Sequence, residues 1–231
     1  VRVHVAFTPA EAVVASTAIV VDVLRATSTI AQALAAGYRR VLSCAEIDEA
    51  QALRDAEGGL LAGERACVRI PGFDLGNSPQ EFLAPLGDTV ILTTTNGTRA
   101  LVAAAGRCDR VLAGSLLNLG AVVEAARAGG GEVAIVCAGV QGELAMDDAY
   151  CAGRLVELLD GEPTDAAEAA VRLRRSFPSG EEGLRASQSA RNLLAAGLES
   201  DIAWCARESV LDVVPVVTGL AGTGTAVELS R

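Results

Sequence analysis

The stretch Ala18-Ile-Val-Val-Asp22-Val-Leu-Arg25-Ala-Thr27-Ser28-Thr29-Ile-Ala-Gln-Ala-Leu34 runs from an unbroken apolar segment straight into a helical pattern. A short apolar run bounded by polar residues reads as a strand buried on both faces, as in a parallel sheet. At the point where that strand stops and a helix begins, the chain crowds a carboxylate, a guanidinium and three hydroxyls. Such a grouping suits a metal ion and an anionic ester.

The same alternation continues outward from this segment. Strands are expected at 1–7, 17–23, 39–44, 88–93, around 110–112 and at 132–137, with a short apolar piece at 59–62. Between them, helices are expected at 27–36, closed by Gly37, and at 47–56, 98–105 and 119–128, the last capped by Asn118. This pattern predicts an α/β fold, a largely parallel sheet covered by helices on both faces. After about Asp147 the pattern turns helical, with helices at 148–159, 165–175, 184–195 and 201–209. A late strand at 213–217 and a glycine-rich tail at 219–225 follow. No repeat or long polar linker interrupts the 231 residues, so one domain over 1–231 with a helix-rich C-terminal section is expected.

Composition narrows the chemistry. The formal charge is −10 and the pI about 4.7, which argues against a nucleic-acid backbone or an anionic membrane as partner. Lysine is absent and His4 is the lone histidine. Any anion must therefore be gripped by arginine, hydroxyl, amide or backbone N–H groups, of which arginine suits bidentate recognition. The six cysteines show no zinc-like spacing and fit reduced, packed thiols. With no secretory pattern and no span-length apolar stretch, the chain reads as soluble and cytoplasmic. Cys137 reads as a buried strand residue and His4 as a structural side chain.

Ligands of open α/β sheets bind beyond the carboxyl ends of the strands. Polar groups recur at four such ends: Asp22 with Arg25, Thr27, Ser28 and Thr29; Thr93-Thr94-Thr95-Asn96-Gly97; Gly114-Ser115 with Asn118; and Cys137-Ala-Gly139. Helix N-termini following these strands add oriented N–H groups that favour phosphate or sulfonate. Asp22 can also be read as a helix cap, and Asp147-Asp148 as dipole partners at a helix start. Ser78-Pro79 with Glu81 reads as a capping box, which leaves Glu64, Arg65, Asp74 and Asn77 unexplained by capping. The DxDx[TV] motif of haloacid-dehalogenase-type phosphatases would need its second aspartate at Leu24, so that mechanism is not supported. Asp22, Glu64, Asp74 and Asp147 form the set of acids expected to hold a hard divalent cation.

The segments VVDVLRATSTI, GER, GFDLGNSPQEF, TTTNGTRAL, GSLLN, CAGVQGELAMDD and DVVPVV, in this order from about Val20 to Val217, resemble the 2-phosphosulfolactate phosphatase family. The resemblance implies a three-layer α/β/α fold with a largely parallel or mixed sheet, and a homo-oligomer, expected as a dimer. It implies a Mg²⁺-dependent phosphoric monoester hydrolase that converts 2-phosphosulfolactate to 3-sulfolactate and phosphate in coenzyme M biosynthesis. One departure stands out: the family more often has glycine near position 67, where this chain has Cys67.

A substrate with phosphate, carboxylate and sulfonate brings about four negative charges into an acidic protein, so divalent cations and arginines must offset them. Arg25, Arg65 and Arg99 are the expected clamps. Mg²⁺ is expected on Asp22 and one or two of Glu64, Asp74 and Asp147. Thr27 to Thr29, Asn77, Ser78, Thr94 to Gly97, Ser115 and Asn118 are expected to donate to the ester, with Asp22, Arg25 and Glu64 as the catalytic set. Metal-activated water is the favoured nucleophile over an aspartyl-phosphate on Asp22. Two rival readings are a phosphatase of another 2-phospho-hydroxy acid and a non-catalytic anion-binding protein.

Overall fold

The computed structural model describes residues 1–11, 13–222 and 225–231. Among them, the strands are β1 (Arg2–Ala6), β2 (Thr17–Val21), β3 (Arg40–Cys44), β4 (Leu60–Arg65), β5 (Val68–Arg69), β6 (Thr89–Thr93), β7 (Arg110–Gly114), β8 (Val133–Cys137), β9 (Glu162–Pro163), β10 (Val216–Ala221) and β11 (Ala226–Ser230). The helices are α1 (Ala26–Ala36), α2 (Ile47–Glu57), α3 (Gly97–Ala105), α4 (Leu119–Gly129), α5 (Met146–Leu159), α6 (Asp165–Arg175), α7 (Gly180–Arg185), α8 (Gln188–Ala195) and α9 (Glu199–Cys205), with a 3-10 turn at Pro79–Phe82.

All the strands join one mixed sheet, in the order β5-β4-β6-β3-β11-β10-β7-β2-β8-β1-β9. Two parallel blocks, β4-β6-β3 and β7-β2-β8-β1-β9, are joined by the antiparallel hairpin β10–β11. β2 lies inside its block with all five residues buried, as its unbroken apolar run requires. The sheet has one face against α1 and α3, where Ala18, Val20, Val41, Val90 and Leu92 meet Ile30, Leu34 and Leu101. On the opposite face, Ile19, Val21 and Ile135 pack under α4 to α9, and Leu42, Leu61 and Ile91 pack under α2. The arrangement is three-layer α/β/α.

The hairpin has a consequence for the site. Three antiparallel steps separate β3 from β7, so in a flat sheet the two blocks would point their carboxyl ends to opposite edges. A twist of roughly 20–25° per step accumulates to about 100–125° between β6 and β2. Such a twist lets the segments after β2 and β6 meet: a Cβ on Gly97, just after β6, would lie 2.7 Å from Asp22 Oδ2, just after β2.

The structure corrects several sequence expectations. The helix expected at 184–195 is two, because Ser187 begins a new one by accepting from the Ala190 N–H. The helix expected at 201–209 spans Glu199–Cys205. The late strand starts at Val216 rather than 213 and runs into the glycine-rich segment, and β11 was not foreseen. Residues 223 and 224 of the glycine-rich tail lie outside the described residues. Gly37 closes α1 in the left-handed conformation, as expected, at φ 118°.

Candidate active site

Helix α1 begins without a side-chain cap on its N-cap residue, Arg25. Asp22 reaches forward instead, and its Oδ1 accepts from the Ala26 N–H at 3.2 Å. Gly97, the first residue of α3, packs against the same carboxylate. Asp22 thus stands between the positive ends of two helices, and its capping role and its site position hold together.

Asp22 also lines a cavity of about 250 Å³ with Arg25, Glu64, Asn77, Thr94, Thr95 and Asn96. These come from the ends of β2, β4 and β6 and from the loop before the 3-10 turn. Val140 and Gln141 add the loop after β8, and Ser189 and Asn192 add α8. The volume lies just below the roughly 300–1,000 Å³ common for ligand pockets, which fits a small polar molecule. Arg25 is the one arginine among the lining residues.

Burial, and then the charge of Glu64, push the Asp22 carboxyl up to about 6, against the pull of the Ala26 N–H and Arg25. Behind it, Asp147 and Asp148 occupy the first turn of α5, both buried. Asp147 is raised to about 7, by burial first and then by the charge of Asp22, although Ser189 Oγ donates to it at 3.1 Å. Asp148 lies well above the ordinary carboxylate range because of burial and its two acidic neighbours. Its two oxygens accept from the N–H groups of Val23 (2.9 Å) and Gly139 (3.0 Å), so it ties the ends of β2 and β8 together.

Other expected site residues are spent elsewhere. Thr27 and Ser28 donate to the Asp22 and Val23 carbonyls and Thr29 to the Asn77 carbonyl, so these hydroxyls fasten the turn rather than line the cavity. Arg65 donates to the carbonyls of Glu64 and Ala45 and to Thr93 Oγ1, which ties β4 to β6. Arg99 is exposed and pairs with Glu46 at 3.5 Å. The exposed Asp74 caps the Leu61 N–H at 2.9 Å and is not brought to the cavity. Asn118 does not cap α4 through its side chain. It accepts from Ser115 N–H and Oγ and donates to the carbonyls of Ala113 and Val213, a fully buried brace. Ser78 caps the 3-10 turn as expected, but Glu81 takes the Gly76 N–H instead of completing the box.

Cys67 lines the cavity with φ 65°, in the left-handed region that favours glycine, next to Ala66 at φ 51°. Its N–H donates to Glu64 Oε2 at 2.7 Å and so orients that acid. Cys137 is buried in β8 and its thiol is pushed well up by burial. His4 hydrogen-bonds Thr164 through Nδ1 at 3.1 Å, and neither residue lines the cavity. Sequence reasoning missed Gln141, Ser189, Asn192 and Asp201. The last is a buried acid whose Oδ2 accepts from Arg25 Nη1 at 2.6 Å.

A strand-end cavity that presents acids, one guanidinium and a ring of amides and hydroxyls has the chemistry to hold a small anionic molecule, and the chain's similarity to known proteins places it among the phosphoric monoester hydrolases. Residues 4–219 match the family model described as 2-phosphosulpholactate phosphatase. The chain is 42% identical over 211 residues (88% of this chain, 89% of the relative) to a probable 2-phosphosulfolactate phosphatase of Thermus thermophilus. It is 44% identical over 202 residues (86% and 88%) to one from Pseudothermotoga lettingae. It is also 41% identical over 198 residues (86% and 85%) to the 2-phosphosulfolactate phosphatase of Methanothermobacter thermautotrophicus. The chain belongs to the 2-phosphosulfolactate phosphatase family.

Proposed function

We propose that this chain, a single α/β domain over 1–231, is a Mg²⁺-dependent phosphatase that hydrolyses 2-phosphosulfolactate to 3-sulfolactate and phosphate. The observation that carries the reading is the cavity itself, where Asp22, Glu64 and Arg25 meet at converging strand ends. One arginine is too little positive charge for a substrate carrying about four negative charges. A divalent cation is the natural complement, and the donor set is compatible with one. Among the described residues no group of three or more His, Cys, Asp or Glu side chains forms a metal cage. Mg²⁺, however, commonly takes one or two protein carboxylates and fills its remaining positions with water and substrate phosphate. Asp22 and Glu64 would hold it, with Asp147 behind. When bound it would supply charge neutralisation and polarise the phosphoryl oxygens.

The protein's own groups then do the following. Arg25 grips the phosphoryl oxygens, and the positive ends of α1 and α3 face the charge that spreads over them. Asp22 orients a water for attack on phosphorus. Asn96, Thr94 and Thr95 donate along one wall. The chain is further proposed to act in the cytoplasm as a homo-oligomer, a dimer, in the coenzyme M pathway, as the family resemblance implies. Among the described residues no helix is long and apolar enough to cross a membrane.

A panel of phosphorylated 2-hydroxy acids and sugar phosphates, each with and without Mg²⁺, tests the substrate assignment. Phosphate release fastest from 2-phosphosulfolactate and dependent on the cation is expected. Equal rates on sugar phosphates would refute the substrate, and tight sulfolactate binding with no release from any ester would refute the enzyme.

A further inference from the structure

Arg25 does not stand alone in the cavity wall. Its Nη1 donates to Asp201 Oδ2 at 2.6 Å, and the two side chains are only 3% and 1% exposed. The other Asp201 oxygen, Oδ1, accepts from Ser78 Oγ at 2.6 Å and from Gln80 Nε2 at 2.9 Å. Asp201 is therefore held on one side by the loop and 3-10 turn at 78–80, and on the other it holds the guanidinium. We propose that Asp201 is a positioning residue for the phosphatase reaction: by pinning one nitrogen of Arg25 it turns the remaining guanidinium donors toward the ester.

The chemistry requires such a partner. A guanidinium is a planar fork whose value to a phosphate lies in its orientation, and a flexible side chain at a cavity wall has many orientations to lose. A buried arginine without a counter-charge would also be costly to desolvate. Asp201 meets both needs, because α9 carries it onto the guanidinium while it is not itself one of the residues that line the cavity with Asp22 and Glu64. This also gives Ser78 and Gln80 of the Asn-Ser-Pro-Gln segment a role: they contribute by fixing Asp201 rather than by touching the ester.

The inference rests on the cavity being the phosphatase site, and the experiment separates the two. Turnover and KM for 2-phosphosulfolactate are measured with Mg²⁺ for Arg25→Lys, Asp201→Asn and the double variant. Thermal melting is recorded on each to count folded protein. Arg25→Lys and Asp201→Asn are each expected to lower kcat at least tenfold, and the double variant to be no worse than about threefold below the weaker single variant. Non-additivity of this kind is what two residues acting as one unit produce. Losses that multiply would overturn the positioning role and leave Asp201 as packing alone. Wild-type turnover in Arg25→Lys would overturn the reading of the cavity itself.

Should Asp201→Asn not fold, Ser78→Ala combined with Gln80→Ala leaves the ion pair in place but loosens Asp201. A kcat loss of about threefold to tenfold with KM unchanged is expected, and it should vanish in an Arg25→Lys background. Persistence of the full loss in that background would refute the proposal.

Discussion

Gly97→Ala probes how closely the two strand ends are fitted around Asp22. The added methyl would lie 2.7 Å from Asp22 Oδ2, 2.7 Å from the Ala26 Cβ and 3.3 Å from the Asp22 Cβ. Non-bonded carbons prefer about 3.5–4.0 Å, so the Asp22 carboxylate, the start of α1, or both must retreat by about 1 Å. Gly97 opens a helix and is not in the left-handed region, so alanine itself is welcome there and gains up to about 1 kcal/mol in propensity. Overpacking costs about 1–3 kcal/mol. The net destabilisation is then at most about 3 kcal/mol, a fall in Tm of no more than about 12 °C for a chain of this size. The effect on chemistry is much larger, because a displacement of about 1 Å at a reacting group costs on the order of 100-fold in rate. Phosphate release from 2-phosphosulfolactate and differential scanning calorimetry, run on the same preparation, provide the assay. Gly106→Ala serves as the control, since its nearest neighbours would be 3.8 Å away. Turnover within about threefold of wild type in a folded Gly97→Ala protein would refute the claim that Asp22 must sit where this contact holds it.

Three further expectations follow from the buried groups. Asp22 and Asp147 titrate at about 6 and 7 when folded, above the 3.8 of a free aspartate, so the metal-free fold binds more protons than the unfolded chain between those values. The stability from these groups is present in full below about pH 4 and is lost as pH rises from there to about 6 to 7, on the order of a few kcal/mol for the two interacting acids together. Mg²⁺ should therefore raise Tm more at pH 8 than at pH 5, and Asp147→Asn should raise the metal-free Tm at pH 8; a melting series in which neither occurs would contradict the burial argument. Asn118→Ala strands Ser115 and the carbonyls of Ala113 and Val213, and should cost about 2–4 kcal/mol while turnover per folded molecule stays unchanged, as read from urea melts paired with kinetics. Ser28→Ala should lose about 1 kcal/mol and retain activity within about threefold, because its hydroxyl donates to the Val23 carbonyl; a hundredfold loss would mean that it touches the ester after all.

The parallel blocks of the fold were legible because their signal is local. Apolar runs such as Ala18–Val21 and helical patterns closed by Gly37 can be read within one element. The β10–β11 hairpin was not, because Thr218, Gly219 and Gly222 break the apolar alternation that marks a strand, and its pairing with β3 and β7 is decided by tertiary contact. Of the residues that line the cavity, Asp22, Arg25 and Thr94 to Asn96 were identifiable from their place at strand ends, and Glu64 and Asn77 as loop residues that capping does not explain. Sequence could not tell which hydroxyls would face the cavity: Thr27 to Thr29 and Ser115 sit beside free carbonyls or an amide and bond to these first. Asp201, Ser189 and Asn192 lie on ordinary amphipathic helices, where a polar residue gives no local sign that it will be folded onto a distant strand end. The signal that could have found Asp201 is indirect: a buried Arg25 demands a buried acid, without saying which.

On the proposed reading, the cavity around Asp22 hydrolyses a small phosphate ester with the help of a divalent cation. Steady-state phosphate release from 2-phosphosulfolactate by wild-type protein and Asp22→Asn, each with Mg²⁺ and with chelator, tests it most directly. Release is expected from the wild type with Mg²⁺ alone, with a loss of at least about 1,000-fold in a folded Asp22→Asn protein. Wild-type release that persists in chelator, or a folded Asp22→Asn variant that turns over normally, would contradict it.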